Sequence, residues 1–311
     1  MLPEATVWIN GTYFPADEAR VSVFDRGFIF GESVYETFRT YDGIPWLFLE
    51  HYHRLLRSAN YLRIQVPYTA DELWTVCRSL ADRYASGPAY IRIIVTGGVG
   101  DIVLEPKAPR VPTVIIIGKP FTPFPEEWYT RGVRIALVPI RRNPAFSLDP
   151  SVKSSNLLNN VYAYRAAVQA GGVEGLMLNY ADWVAECASS NIFLVMADGT
   201  VRTPALDVGI LDGVTRRLVI QLLHRYGIRV EETHIPVDDL YAAREVFMTS
   251  SLKGVVPVVQ IDAHTVGSGQ VGLLTHQVMQ WYGEAIRAYV DRVRQEDRPV
   301  AWLVDMESDT R

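Results

Sequence analysis

The stretch Asp149-Pro150-Ser151-Val152-Lys153-Ser154-Ser155-Asn156-Leu157-Leu158-Asn159-Asn160 decides how the rest of the chain is read. It holds one of four lysines, Lys107, Lys119, Lys153 and Lys253, in a chain with 30 Lys+Arg. Arginine is the general-purpose cation here, so each lysine asks for a reason. Lys107 sits in Glu105-Pro106-Lys107-Ala108-Pro109 and reads as part of an exposed loop. Lys119 ends a strand-like run before Pro120, and Lys253 lies between Thr249-Ser250-Ser251 and Gly254. Lys153 stands at the mouth of an apolar helical pattern, Leu157, Leu158, Val161 and Tyr162. A desolvated lysine can lose its proton and act as a nucleophilic amine, which arginine cannot do. The alternative is a surface residue at the start of a helix.

Working outward, the composition bounds the class. A chain of 311 residues, 49% hydrophobic and 21% charged, has ample core for two domains. The net charge of -5 and the lack of a basic tract give no electrostatic support to a nucleic-acid role. Cys77 and Cys187 lie far apart, so neither a disulfide framework nor a metal-type pair is expected, and a reducing cytoplasm fits. Met1 to Thr6 lacks a charged region followed by an apolar one, so no signal peptide is expected. The longest apolar run, Val111 to Ile117, is too short to span a bilayer, and no membrane role is expected.

Along the chain, Val7–Gly11 reads as a strand and turn. Ser33–Tyr41 and Ile44–Phe48 read as a hairpin around Asp42-Gly43. Alternation in the first of these puts Tyr35, Thr37 and Arg39 on one face. Helical spacing predicts helices over Glu50–Ile64 and Thr69–Tyr84, and strands return at Ala89–Thr96 and Thr113–Gly118. The Pro-rich run Lys119-Pro120-Phe121-Thr122-Pro123-Phe124-Pro125 then marks a boundary. The expected organisation is a small N-terminal domain over residues 1–119, a linker over 120–131, a large domain over 132–291 and a loosely attached polar tail over 292–311. In the large domain we expect helices at Ser154–Gln169, Val214–Tyr226 and Val271–Val290, with short strands between them. The class is α+β, without regular βαβ alternation.

Several residues could carry chemistry. Gly209-Ile210-Leu211-Asp212-Gly213-Val214-Thr215-Arg216 is a turn that opens directly into a helix. Backbone N–H groups of Gly213, Val214 and Thr215 would seat a phosphate there, unless Asp212 simply caps the helix. Ser250 and Ser251, at the end of an apolar strand, could complete a phosphate cradle or form a solvated turn. Arg54, on an amphipathic helix, could give bidentate phosphate contacts or lie in solvent. Glu186 is a carboxylate inside an apolar strand-like stretch and needs a cationic or protonated partner, either a pyridinium nitrogen or an arginine. The histidines show no metal-ligand spacing, His51 included, and no metal site is expected. An ionisable lysine, a carboxylate for a ring nitrogen, and a turn, an Arg and hydroxyls for one phosphate make up the parts of a pyridoxal 5'-phosphate site.

In order and local sequence the chain resembles the class IV, or fold type IV, pyridoxal-phosphate enzymes: branched-chain aminotransferases, D-amino-acid aminotransferases and 4-amino-4-deoxychorismate lyases. The segments that carry the resemblance run from Phe24-Asp25-Arg26-Gly27-Phe28 to Val246-Phe247-Met248-Thr249-Ser250-Ser251. Between them lie Gly31-Glu32-Ser33-Val34-Tyr35-Glu36, His51-x-x-Arg54-Leu55, Lys153 with Asn156-Leu157-Leu158-Asn159-Asn160, Ala185-Glu186, Ser190-Asn191-Ile192-Phe193, Thr203-Pro204 and Gly209 to Arg216. The resemblance implies a small α+β N-terminal domain and a larger C-terminal domain with the cofactor between them. It also implies a homodimer in which each subunit completes its partner's active site.

By the same resemblance Lys153 would bind the cofactor as a Schiff base and shuttle the α-proton, and Glu186 would keep the ring nitrogen protonated. Arg54, Gly213, Val214, Thr215, Ser250 and Ser251 would hold the phosphate, and Leu211 would pack on the ring. Tyr35, Thr37, Arg39, Tyr90, Arg92, Arg142 and Leu252 would face substrate. Ala89-Tyr90-Ile91-Arg92 is similar to the branched-chain pattern. Leu158 stands where branched-chain enzymes carry Tyr, as in the D-amino-acid enzymes. Tyr35-Glu36-Thr37-Phe38-Arg39 is similar to some lyases. The expected activity is therefore ping-pong amino transfer between a branched-chain or D-amino acid and a 2-oxo acid. A lyase on the same cofactor and a non-catalytic cofactor-binding protein are the alternatives.

Overall fold

The computed structural model describes residues 4–84, 86–104 and 110–303. The chain forms two compact units. The first takes residues up to Pro123, the short segment Val152–Asn156 and the chain from Ile286 onward; the second takes Phe124–Ser151 and Leu157–Ala285.

The first unit is built on a six-stranded antiparallel sheet, in the order β2-β1-β6-β5-β3-β4. Its strands are β1 (Thr6–Ile9), β2 (Thr12–Pro15), β3 (Ser33–Tyr41), β4 (Ile44–Pro45), β5 (Ala89–Thr96) and β6 (Val114–Pro120). Its helices are the short α1 (Arg26–Ile29), α2 (Phe48–Tyr61) and α3 (Ala70–Asp82). The Asp42-Gly43 turn joins β3 to β4 with both residues at positive φ, as a tight hairpin requires. Strand period sorts the side chains of β3. Val34, Glu36 and Phe38 are buried, while Tyr35, Thr37 and Arg39 occupy the other face. Helix α3 starts in a capping box, with Thr69 accepting from the Glu72 N–H and Glu72 reaching back to the Thr69 N–H.

The second unit holds a nine-stranded mixed sheet, in the order β12-β11-β10-β13-β14-β7-β8-β9, with β15 paired to β14. The strands are β7 (Val133–Arg141), β8 (Gly175–Leu178), β9 (Val184–Cys187), β10 (Asn191–Val195), β11 (Val201–Pro204), β12 (Val230–Thr233), β13 (Glu245–Ser250), β14 (Gly254–Ile261) and β15 (His264–Thr265). Helices α4 (Glu127–Thr130), α5 (Leu158–Gln169), α6 (Val214–Arg225) and α7 (Val237–Ala242) belong to it, and α8 (Leu273–Glu296) begins in it. The pairs β7–β8, β7–β14 and β11–β12 are parallel. Buried apolar residues of β7, β8, β10, β13 and β14 form its main core.

Three sequence expectations are corrected. The predicted helix Ser154–Gln169 starts at Leu158, because Ser154 is bridged to Val34 and the Ser155 N–H donates to the Ser33 carbonyl. The Lys153 segment is therefore extended and belongs with the N-terminal unit. The expected linker is shorter: β6 continues through Pro120, and α4 occupies Glu127–Thr130. The tail is also ordered as far as Leu303, since Val293, Val300 and Leu303 are buried and Glu50 accepts from the Trp302 and Leu303 N–H groups. Lys107 and residues 304–311 lie outside the described residues. Among the described residues no helix is long and apolar enough to cross a membrane, and no group of three His, Cys, Asp or Glu gathers as a metal site would require.

Candidate functional site

In the first unit, Lys153 is fixed by its backbone. Its N–H donates to Ser58 Oγ at 3.1 Å and its carbonyl accepts from the Tyr35 N–H at 2.9 Å. The half-buried side chain carries Nζ to 4.6 Å from the Tyr35 ring centroid. Among the described residues no carboxylate forms an ion pair with it. Asn156 secures the same segment by donating to the Gly31 carbonyl at 3.1 Å. Gly31 has φ +68°, and a Cβ there would stand 2.5 Å from Asn156 Oδ1, so the approach requires glycine.

Arg54 is buried, and its Nε and Nη2 donate to Glu36 Oε1 at 2.7 Å and Oε2 at 2.8 Å. His51 Nδ1 lies 2.6 Å from Glu36 Oε2. Burial alone would raise the Glu36 carboxyl, but Arg54 and His51 outweigh it and hold the group well below the usual carboxylate range. Burial pushes the His51 imidazole down; Glu36 opposes this, while Arg54 and Lys153 add to it. The sequence left Glu36 unassigned. The available signal was its position between Val34 and Phe38 on the apolar face of β3, where a carboxylate must find a cation.

The opposite face of β3 and β5 gathers the expected substrate residues. Thr37 pairs with Arg92 and Arg39 with Tyr90 in register. The Arg92 guanidinium lies 4.0 Å from the Tyr35 ring centroid, and Arg39 lies 4.6 Å and 4.2 Å from the rings of Tyr41 and Phe121. The Thr37 hydroxyl and Arg39 Nε are buried without a hydrogen-bond partner among the described residues.

In the second unit, Glu186 is buried on β9, and both of its oxygens accept hydrogen bonds. Arg142 Nε donates to Oε1 at 2.8 Å, and Asn191 Nδ2 and the Leu211 N–H donate to Oε2 at 3.1 Å each. Arg142 also donates to Asn159 Oδ1 at 3.1 Å. Arg142, expected to face substrate, is thus a partner of Glu186: its guanidinium is the cation that a carboxylate in this apolar strand requires. Asn191 was quoted only as part of a motif, yet it also donates to the Leu211 carbonyl at 3.0 Å and so ties Glu186 to the loop before α6.

At the start of α6 the capping residue is Gly213, and no side chain caps the helix. Asp212, the alternative cap, lies 3.6 Å from Arg217 instead. A Cβ on Gly213 would fall 2.0 Å from Asn191 Oδ1, so this turn also demands glycine. Among the described residues the buried Thr215 hydroxyl in the first turn has no hydrogen-bond partner, and neither has the buried hydroxyl of Thr249 on β13. Thr249 was read only as part of a hydroxyl cluster. Uncapped N–H groups at the positive end of a helix, beside an unsatisfied buried hydroxyl, are the donor set for a phosphate. Ser250 Oγ accepts from the Lys253 N–H at 3.2 Å, and Leu252 is half-buried in the turn that follows. Leu158 is 71% exposed.

Comparison with known proteins settles the class. The family model described as "Amino-transferase class IV" matches residues 33–261, and the chain belongs to that family. The chain is 38% identical over 274 residues to a "Putative branched-chain-amino-acid aminotransferase" of Methanocaldococcus jannaschii, covering 88% of this chain and 94% of that one. It is 34% identical to a "D-alanine aminotransferase" of Staphylococcus haemolyticus, with 91% and 98% covered. Among solved structures, the branched-chain amino acid aminotransferase of Escherichia coli superposes with a TM-score of 0.81 at 30% identity, covering 89% of this chain and 92% of that one. The branched-chain aminotransferase of the archaeon Thermoproteus uzoniensis with norvaline gives a TM-score of 0.81 at 30% identity, with 90% and 94% covered. The two-domain α+β architecture is that of fold type IV, and the chain is a pyridoxal-phosphate-dependent aminotransferase that works by Schiff-base transamination. The unsatisfied Thr215 hydroxyl and the glycine-only turn at Gly213 fit the cofactor's phosphate.

Proposed function

We propose that the chain moves an amino group between a branched-chain or D-amino acid and a 2-oxo acid, with Lys153 as the catalytic residue. The observation that carries this is a half-buried lysine with a fixed backbone and no carboxylate partner among the described residues. Lys253, by contrast, is engaged by Glu174. When bound, pyridoxal phosphate supplies a carbonyl for an amine to condense with and a ring that takes up the electron pair released at the α-carbon. Lys153 Nζ would hold the cofactor covalently and carry the α-proton. Nζ stands 4.6 Å from the Tyr35 ring centroid, on the face of β3 that carries the proposed substrate residues. Glu186, an anion fixed by Arg142, Asn191 and the Leu211 N–H, holds a proton at the ring nitrogen. Leu211 would pack on the ring.

The N–H groups of Val214 and Thr215, the Thr215 hydroxyl, Gly213, Ser250 and Ser251 would hold the phosphate; Arg54, whose guanidinium plane Glu36 sets, is the further phosphate ligand that the resemblance implies. Tyr35, Thr37, Arg39, Tyr90, Arg92 and Leu252 receive the substrate. Arg39 and Arg92 supply cations for its carboxylates. A homodimer belongs to the same proposal.

Lys153→Ala is expected to abolish the visible absorption of the lysine-bound cofactor and to lower turnover by roughly three orders of magnitude or more. Turnover at the wild-type rate would refute the assignment. Single L- and D-amino acids, mixed one at a time with the pyridoxal form, will show which enantiomer converts it to the pyridoxamine form. The unpartnered Thr37 hydroxyl favours a second reading, a lyase releasing pyruvate from aminodeoxychorismate. Pyruvate release without conversion by any amino acid would establish it.

A further inference from the structure

The second unit contains a buried charge pair for which the reaction has no use. Glu174 is fully buried and Lys253 is 10% exposed, and Lys253 Nζ donates to Glu174 Oε1. The same ammonium donates to Ser189 Oγ at 2.6 Å and to Ser190 Oγ at 3.1 Å. Glu174 in turn accepts from the Ser189 N–H at 3.3 Å and from both serine hydroxyls. Two of the ammonium's three contacts and both carboxylate oxygens are therefore engaged by one turn, Ala188–Ser190, and the third ammonium contact joins Lys253 to Glu174.

That turn lies between the proposed ring-binding carboxylate and a residue that orients it. Glu186 precedes it on β9, and Asn191, which donates to Glu186 and to the Leu211 carbonyl, follows it directly on β10. Asn160 closes the turn from another side by donating to the Ala188 carbonyl at 2.8 Å. Lys253 itself sits in the turn between β13 and β14, immediately after Ser250, Ser251 and Leu252, and its own N–H donates to Ser250 Oγ. One ammonium thus joins the turn that fixes Glu186 and Asn191 to the turn that carries the phosphate-binding serines.

We propose that the Lys253–Glu174 pair is a positioning clamp that sets the relative placement of Glu186 and Ser250-Ser251 for the cofactor, an inference that rests on the functional reading above. A buried pair is poor evidence for stability as such, since an apolar pair of equal volume often does as well. Its value here lies in fixing geometry, which lets stability and binding be separated by experiment.

The test uses the whole protein stripped of cofactor and titrated with pyridoxal phosphate. Its readouts are the dissociation constant, the position of the visible band, the pH midpoint of that band and the melting temperature without cofactor. Lys253→Met alone strands Glu174 and is expected to melt early. The double variant Lys253→Met/Glu174→Gln removes both charges and is expected to recover the melting temperature, yet to bind about 10-fold more weakly and to shift the pH midpoint. Ser189→Ala, at an exposed position, folds regardless of either charge and is expected to weaken binding about fivefold. Wild-type affinity and pH midpoint in Ser189→Ala and in a folded double variant would overturn the clamp. If the double variant does not fold, the Ser189→Ala result decides alone. Glu186→Gln is the control. Cofactor uptake by wild type that responds to Glu186→Gln but not to these variants refutes the clamp only, whereas no uptake by wild type refutes the functional reading and the clamp with it.

Discussion

Glu36, Arg54 and His51 show how one residue's position dictates two others. Glu36 falls on the apolar face of β3 by strand period, and burial there is tolerable only with the Arg54 fork and His51 against it. The sequence placed Arg54 correctly on α2, but its partner was hidden because Glu36 is distant in the chain and looks like one more strand carboxylate. His51, of which the sequence showed only that it lacks metal-ligand spacing, is fully buried. The pH consequence follows in sign. Both groups have folded-state values below their ordinary ones. Each therefore contributes stability that is present above its unfolded value and lost as pH falls towards its folded one. His51 acts first, below about pH 6.5, and Glu36 below about pH 4.5. Melting temperature is expected to fall between pH 7 and 5.5, and His51→Gln to flatten that part of the curve. An unchanged slope would exclude His51 as its source. Glu36→Gln, which leaves the buried Arg54 without its carboxylate, is expected to cost about 3–5 kcal/mol in urea unfolding.

Among the elements, α6 was the most legible, because its glycine turn, its apolar stripe and the Gly227 stop all stand in the sequence. The choice between a capped helix and a phosphate seat was not legible. It turns on Asp212 pairing with Arg217 and on Asn191 blocking any Cβ at Gly213, both tertiary facts. The same limit explains the start of α5. Ser154 and Ser155 look like helix-start residues, yet β3 takes up their backbone groups and leaves Lys153 extended. Thr215 tests the reading of α6. Replacing a buried, unpartnered hydroxyl by a methyl of the same shape removes an unmet polar group, so Thr215→Val is expected to leave stability unchanged or raise it by up to about 1 kcal/mol. Pyridoxal phosphate should nevertheless bind about fivefold to tenfold more weakly, since one donor to the phosphate is lost. Loss of stability with unaltered cofactor affinity would mean the hydroxyl serves the fold and not the ligand.

For the molecule as a whole, the two-domain division was read from one proline-rich run, and that signal lies within a few residues of the observed break at Pro123/Phe124. Local pattern could not reveal that Val152–Asn156 and the chain from Ile286 belong with the first unit, because contacts between distant segments leave no periodic trace. The proposed homodimer belongs to this scale. Around α1 the first unit exposes an apolar surface: Phe28 is 71% exposed, Leu104 83% and Val111 79%, with Phe24 and Val99 beside them. These segments are tied together, because the Arg26 guanidinium donates to the Leu104 carbonyl at 2.8 Å and the Gly100 N–H donates to the Phe24 carbonyl at 3.2 Å. Exposed apolar side chains on segments joined in this way are suited to burial against a second copy. Sedimentation equilibrium is expected to give twice the 35.0 kDa of one chain. Phe28→Asp, at an exposed position, should alter the stability of the single chain by no more than about 0.5 kcal/mol, yet place a carboxylate in the proposed interface and shift the mass towards that of one chain. A wild-type protein that sediments as a single chain at micromolar concentration would remove the dimer from the proposal and leave the assignments of Lys153 and Glu186 standing.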